Sequence, residues 1–319
     1  MSVSVRGRIF PHRVRSLLAK RMMELILLAL CIGLAFYAPN FFTTENLLTV
    51  LRSISMQGII AFGMTMVIIV GEIDLSVGAN VAFSGCLIAY LTQGGLPIPL
   101  GLLLTLLVGF GLGWFTGIMR TRYQVPSFIT TLALLTGLHG AALMITGGFP
   151  ITPFPSWYYF FGGGYVLGIP FPALMLILAF LSIHILMNYT AFGRAVYAAG
   201  GNPEAARLAG INVAGVRIWA LAITGTLAAL SGILLSARIL SGTPTVAQGW
   251  ELDIIAAVII GGTSLMGGEG TVWGTLVGIT FIGVIINGMT LLDIPVYTQY
   301  VVRGLLIFAA VLLNRAQKT

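Results

Sequence analysis

The chain has 319 residues, 58% of them apolar and 8% charged, with a net charge of +7. Ordinary soluble domains carry about 25% charged residues, so the composition excludes a soluble enzyme or a nucleic-acid-binding domain, and the positive charge reads as a topology signal beside membrane spans. Cys31 and Cys86 fall inside apolar runs and read as small packing residues, neither a disulfide nor a metal pair.

Arg6, Arg8, Arg13, Arg15, Lys20 and Arg21 precede an apolar run that ends at Ala38. This imitates a secretion signal, but no clear cleavage pattern follows and many more spans do, so it reads as a basic cytoplasmic tail and an uncleaved first span. At about 20 apolar residues per span, spans fall at 22–39, 54–71, 77–92, 96–118, 127–146, 168–187, 216–236, 252–263, 271–290 and 296–314. The expectation is an all-α polytopic membrane protein of about ten transmembrane helices. The short third and eighth spans imply tilt, a break, or burial within protein. The six basic residues of the tail share one side with Arg120, Arg122, Arg194, Arg207, Arg217, Arg315 and Lys318, while Arg52 and Arg238 fall opposite and Arg303 lies within the last span. Both termini are therefore expected in the cytoplasm. The chain divides into a tail (1–21), a single transmembrane domain (22–315) with a cytoplasmic segment at 190–217, and a tail (316–319).

After the second span, GEIDLSVG places Glu72, Asp74 and Ser76 in a short turn. A carboxylate near membrane depth needs water or a partner, so these acids can cap the next helix, pair with a basic residue, or line a polar path. Gly109, Gly113 and Gly117 recur every four residues, as do Gly270, Gly274 and Gly278, which on a helix makes a groove for close helix approach. The uncharged loop 147–168 carries Trp157 to Phe161, read as an interfacial aromatic belt in preference to a docking surface. His139 and His184 are isolated within spans and read as hydrogen-bonded packing residues.

Thr190 to Ile211 is a polar interruption between apolar runs. Asn202 suits an N-cap, Pro203 the first helical position, Glu204 the positive end of the helix dipole, and Gly210 a stop. That predicts a short helix with Gly200-Gly201 as the turn before it, either a handle for a soluble partner or an ordinary loop. Further on, Glu251 and Asp253 open the eighth span; Arg303 can pair with Asp253, Glu251 or Asp293, or snorkel to the interface. Residues 258–262 (VIIGG) resemble 67–71 (VIIVG), a hint of parallel duplication. No GxxxxGK[ST] motif, nucleophile–base pair or metal cluster stands out, so no ATPase or other enzyme is expected in this chain.

Three stretches in this order, GMTMVIIVGEIDLSVGA (63–79), FGRAVYAAGGNPEAARLAGI (192–211) and ELDIIAAVIIGGTSLMGGEGTVWGTLVG (251–278), make the chain resemble the permease subunits of bacterial ribose-type ABC importers. The resemblance covers residues from about 22 to 314. It implies an inner-membrane subunit that pairs with a second permease, is driven by a cytoplasmic ABC ATPase that binds the ATP, and receives a monosaccharide from a periplasmic binding protein, with lipid and no nucleic acid as its other surroundings. Glu204-Ala205-Ala206 followed by Gly210 matches the start of an importer coupling loop, so Arg194, Gly200, Gly201, Asn202, Pro203, Glu204, Ala205, Ala206 and Gly210 become the expected ATPase-coupling residues. The Ile-x-Leu-Pro continuation of the classical loop is missing. Glu72, Asp74, Ser76, Glu251, Asp253 and Arg303 are the pathway or structural candidates. The same residues leave two other readings open: a proton-coupled secondary transporter using Glu72 or Asp74, and a membrane scaffold without transport.

Overall fold

The computed structural model describes residues 21–152 and 154–316. The helices are α1 (Met22–Tyr37), α2 (Thr44–Ile69), α3 (Val77–Gln93), α4 (Ile98–Arg122), α5 (Ser127–Thr146), α6 (Tyr159–Gly163), α7 (Phe171–Tyr189), α8 (Ala191–Gly201), α9 (Pro203–Leu208), α10 (Val213–Ile239), α11 (Trp250–Ile260), α12 (Val272–Leu291) and α13 (Val296–Ala316). Strands β1 (Tyr165–Val166) and β2 (Ile169–Pro170) form a small antiparallel hairpin before α7, with Tyr165 opposite Pro170. Every expected span has its helix, so the all-α polytopic architecture holds. Among the described residues, 6 helices are long and apolar enough to cross a membrane: α2, α4, α5, α7, α10 and α12. Helices α1 and α3 are shorter apolar helices. The basic side chains of residues 1–20 and Lys318 lie outside the described residues.

Helix α2 starts at Thr44, ten residues before the expected 54, with the Thr43 side chain accepting from the Asn46 N–H. Its first turns carry Glu45, Asn46 and Arg52, which hid them from a hydropathy reading. From Gly58 to Val70 every residue is buried. A helix apolar on all faces must be enclosed by others, and α10, α7, α12 and α11 enclose this one. Helix α10 is the second hub, packed on α4, α3 and α2. The core is tied by polar bonds across helices: Ser231 Oγ donates to the Met56 carbonyl (2.7 Å), Thr65 and Thr275 share a hydroxyl bond (2.6 Å), and Asn80 Nδ2 donates to the Gly225 carbonyl (3.1 Å). The two short expected spans are α3 and α11, and both are largely buried within protein.

The first glycine ridge is a seam between α4 and α10. A Cβ at Gly109 would sit 2.6 Å from the Gly225 carbonyl oxygen, one at Gly113 would overlap the Leu221 carbonyl oxygen, and one at Gly117 would sit 2.6 Å from the Ile218 Cα. The second ridge is shorter than expected. Gly274 and Gly278 abut the Gly261 and Ala257 carbonyls, but Gly270 precedes the α12 N-cap Thr271 and faces Thr263 instead. The aromatic loop also differs from a belt. Trp157, Tyr159 and Phe160 are exposed, whereas Tyr158 is fully buried, stacked on Phe154 (centroids 4.4 Å apart) with its hydroxyl on Ser236 (3.0 Å). A tyrosine whose hydroxyl finds a partner can be buried.

The seam makes a paired expectation. Gly113→Leu forces backbone apart and costs about 1–3 kcal/mol, lowering the unfolding temperature in detergent. Gly111→Leu, where a Cβ meets nothing within 4 Å, leaves it unchanged.

Candidate functional site

One end of the bundle gathers most of the singled-out residues. Helix α2 closes where Gly71 turns left-handed (φ 81), with the Glu72 N–H donating to the Val67 carbonyl (2.9 Å) and the Gly71 N–H to the Ile68 carbonyl (3.0 Å). This paired closure satisfies carbonyls that a helix end otherwise leaves orphaned. It delivers Glu72 to a buried position, 4% exposed, between α4 and α10. Arg120 Nε donates to Glu72 Oε1 at 2.7 Å, and Arg217 Nε lies 3.0 Å from the same oxygen as an ion pair without hydrogen-bond alignment. Protonating Glu72 would leave two guanidinium groups facing each other, so the geometry suits a three-helix clamp and argues against a proton carrier. Arg120 and Arg217 were legible only as topology charges; nothing in their spacing tied them to Glu72.

Asp74 Oδ1 accepts from the Ser76 N–H (2.8 Å) and Ser76 Oγ (2.6 Å). The acid thus folds the turn on itself; Ser76 is the α3 N-cap residue but makes no side-chain cap bond. Burial pushes the Asp74 carboxyl up, and the two Ser76 bonds pull it back. The neighbouring Ile73 N–H donates to Ser127 Oγ at the start of α5 (3.2 Å).

Thr190 to Ile211 folds as two helices. Thr190 caps α8, accepting from the Gly193 N–H (3.3 Å). Helix α9 is the expected short helix: Asn202 Oδ1 accepts from the Ala205 N–H (3.0 Å), Pro203 is first, and Gly210 (φ 82) ends it as the Ile211 N–H reaches the Ala206 carbonyl (3.0 Å). Gly200 and Gly201, expected as the turn before it, are instead the last helical residues of α8, and the break falls at Asn202. What Gly200 provides is closeness: a Cβ there would overlap the Ile69 carbonyl oxygen. That same carbonyl accepts from the Gly268 N–H (2.8 Å), and Tyr197 of α8 donates its hydroxyl to the Gly270 carbonyl (2.9 Å). Burial pushes the Tyr197 phenol up. Helix α8 is therefore held between the end of α2 and the turn 261–271. Helix α9 stands out from the bundle, anchored by the buried Ala206, with Glu204, Arg207 and Leu208 exposed. Its Glu204–Arg207 pair (2.9 Å) is solvated, and Arg194 is exposed on α8.

Helix α11 ends as α2 does. Gly262 is left-handed (φ 90), the Thr263 N–H donates to the Val258 carbonyl (3.1 Å), and the Gly262 N–H donates to the Ile259 carbonyl (2.9 Å). The likeness of VIIVG and VIIGG is thus a likeness of backbone closure. Near the other end, Arg303 takes Asp253 from its possible partners (3.1 Å). Glu251 is not part of that pair; it lines an open cavity of about 370 Å³ with His139, Gln248 and Gly78. His184 bonds Asn188 (3.2 Å) and stacks on Phe180, a packing role. Cys31 and Cys86 are free thiols on α1 and α3.

Comparison with known proteins places this architecture. Residues 46–311 match the family described as branched-chain amino acid transport system / permease component. The ribose import permease protein RbsC of Bacillus subtilis is 44% identical over 291 residues, covering 91% of this chain and 90% of its own. The chain belongs to this permease family, in its ribose-type branch. RbsC of Escherichia coli strain K12 is 37% identical over 319 residues, 99% of each chain. The L-arabinose ABC transporter permease protein AraH of Azospirillum brasilense is 34% identical over 321 residues, covering 99% of this chain and 95% of its own. No solved structure matches the chain. This permease is a multi-pass protein of the inner membrane.

The clamp and the surface pair give opposite expectations. Glu72→Gln leaves two arginines unpaired and costs about 3 kcal/mol or more, whereas Glu204→Gln costs under about 1 kcal/mol. Thermal unfolding of the two purified variants in detergent reads the difference.

Proposed function

We propose that this chain is the transmembrane subunit of an ATP-driven importer that moves a monosaccharide or a related small polar solute inward. One observation carries the reading: permeases named for ribose and L-arabinose align with it along 91% to 99% of its length. Ten helices cross the membrane and both termini are cytoplasmic. In support, Arg120, Arg122, Arg194, Arg207 and Arg217 cluster at the α8 end and Arg52 and Arg238 at the other. The transmembrane domain is residues 22–315, the coupling segment is 190–217, and residues 1–21 and 316–319 are cytoplasmic tails. The chain carries no cofactor. ATP is hydrolysed on a separate cytoplasmic ATPase, a periplasmic binding protein delivers the solute, and a second permease subunit completes the path.

In this reading the exposed face of α9, with Glu204 and Arg207, seats in a groove of the ATPase, and Arg194 flanks it. Closure of the ATPase pulls α9. Because α8 abuts the Ile69 carbonyl and holds the Gly270 carbonyl through Tyr197, the pull passes into α2 and α11 together. Nucleotide then biases which side of the path is open.

The test is co-purification and uptake. Cells carrying the permease with its ATPase and binding protein are expected to accumulate labelled D-ribose, L-arabinose or D-xylose. The ATPase is expected to co-purify with wild type and be lost from Glu204→Arg. Gly200→Leu, which pries α8 from Ile69, is expected to keep the ATPase and lose uptake. Folded wild type that never retains an ATPase, with uptake abolished by collapsing the proton gradient while ATP is maintained, overturns the reading.

A further inference from the structure

Helix α11 is 11 residues long, so it rises about 16 Å, half the thickness of a bilayer core of about 30 Å. The chain reaches its start through an irregular segment, residues 240–249, running alongside α3. Gly242 abuts Cys86 and Ala89, and further on Ala247 and Glu251 abut Gly78, about two to three turns nearer the α3 start. Leu240, Ala247 and Gly249 along it are all left-handed. Non-helical backbone at membrane depth persists only where protein covers it or where it lines a polar cavity. Here it lines one. The cavity of about 370 Å³ is bounded by this segment, the start of α3 and the face of α5 bearing Thr136 and His139. It is large enough for a pentose or hexose, given that small-molecule sites begin near about 300 Å³.

The polar groups in it converge. Gln248 Nε2 and His139 Nε2 lie 3.4 Å apart. Glu251 turns its carboxylate toward Gly78. Gly78 leaves room for that carboxylate, since a Cβ there would overlap it. Among the described residues Glu251 has no basic partner within ion-pair distance, unlike Glu72 and Asp253. A half-buried carboxylate without a cation, beside a side-chain amide and an imidazole, is a set of acceptors and donors suited to hydroxyl groups.

We propose that Glu251, Gln248, His139 and Thr136 form the station at which the transported solute, a neutral polyhydroxylated molecule, touches this subunit in transit; this rests on the importer reading above. Glu251 accepts from sugar hydroxyls, and Gln248 and His139 supply the complementary donor and acceptor. The walls are otherwise small and aliphatic, Gly78, Ala79, Gly140, Val246 and Ala247 among them, so the solute gains hydrogen bonds without an aromatic stacking surface and is released readily.

Two measurements on the assembled importer test it. Glu251→Gln is expected to slow uptake of the transported pentose about tenfold, as for loss of a charge-assisted hydrogen bond, with Glu251→Asp restoring part of it. Separately, in a Cys31→Ser, Cys86→Ala background, Thr136→Cys is expected to react with a water-borne methanethiosulfonate reagent. Millimolar transported sugar should slow that reaction, and an untransported sugar should not. Wild-type uptake with Glu251→Gln equally fast, or Thr136→Cys labelling indifferent to the transported sugar, overturns the station alone. No sugar uptake by wild type overturns the importer reading and the station with it.

Discussion

The arrangement of this permease depends on enclosing α2. A helix with no lipid-facing or water-facing side along its second half demands neighbours all round, and it demands that whatever polarity arrives at its end be answered by those neighbours. Both demands are met at one place. The Ile69 carbonyl takes the Gly268 N–H and receives the flat side of Gly200, while three residues past the helix end Glu72 binds α4 and α10. The last turn of α2 is therefore where the buried core, the external helices α8 and α9, and the α11 turn are mechanically joined.

The residues proposed for coupling and for permeation separate along the bundle. Glu204, Arg207 and Arg194 are solvated at the α8 end. Glu251, Gln248 and His139 face the cavity beside the half-length helix α11. Between them the paired closures at Gly71 and Gly262 give α2 and α11 the same exit geometry. Both helices feed the contact that holds α8, so a displacement there acts on both at once.

Much of the fold was legible in the sequence because bilayer burial is written in long apolar runs, and the ten expected segments each meet a helix. The capping of α9 was legible because Asn202, Pro203 and Gly210 act through their own backbone. What was not legible was anything set by tertiary approach. Gly200 and Gly201 look like turn residues, but helix geometry continues through them, since a missing Cβ serves equally for a turn or for a close contact. Tyr158 looks like its exposed aromatic neighbours, and only the tertiary approach of Phe154, Ile233 and Ser236 buries it. The partners of Glu72 lie 48 and 145 residues away in sequence, as does the company Glu251 keeps on α5 and α3, so neither site has a local signature.

On α4 the seam repeats every four residues: Gly109, Gly113 and Gly117 lie against Ala229 and Gly225, Leu221, and Ile218 of α10. On the α4 side such a seam is a ruler with evenly spaced identical marks. Slipped by one turn, α4 would again turn a glycine toward α10 at each mark, so the α4 spacing alone does not choose a register. Two features help to choose it: the Phe110, Trp114 and Trp219 rings that meet across the pair, and Glu72. A one-turn slip moves Arg120 and Arg217 about 5.4 Å relative to each other, and a single carboxylate oxygen can then no longer hold both. The buried ion pair is thus an index pin of the α4–α10 pair, adding a fixed mark to a glycine spacing that brings the helices close.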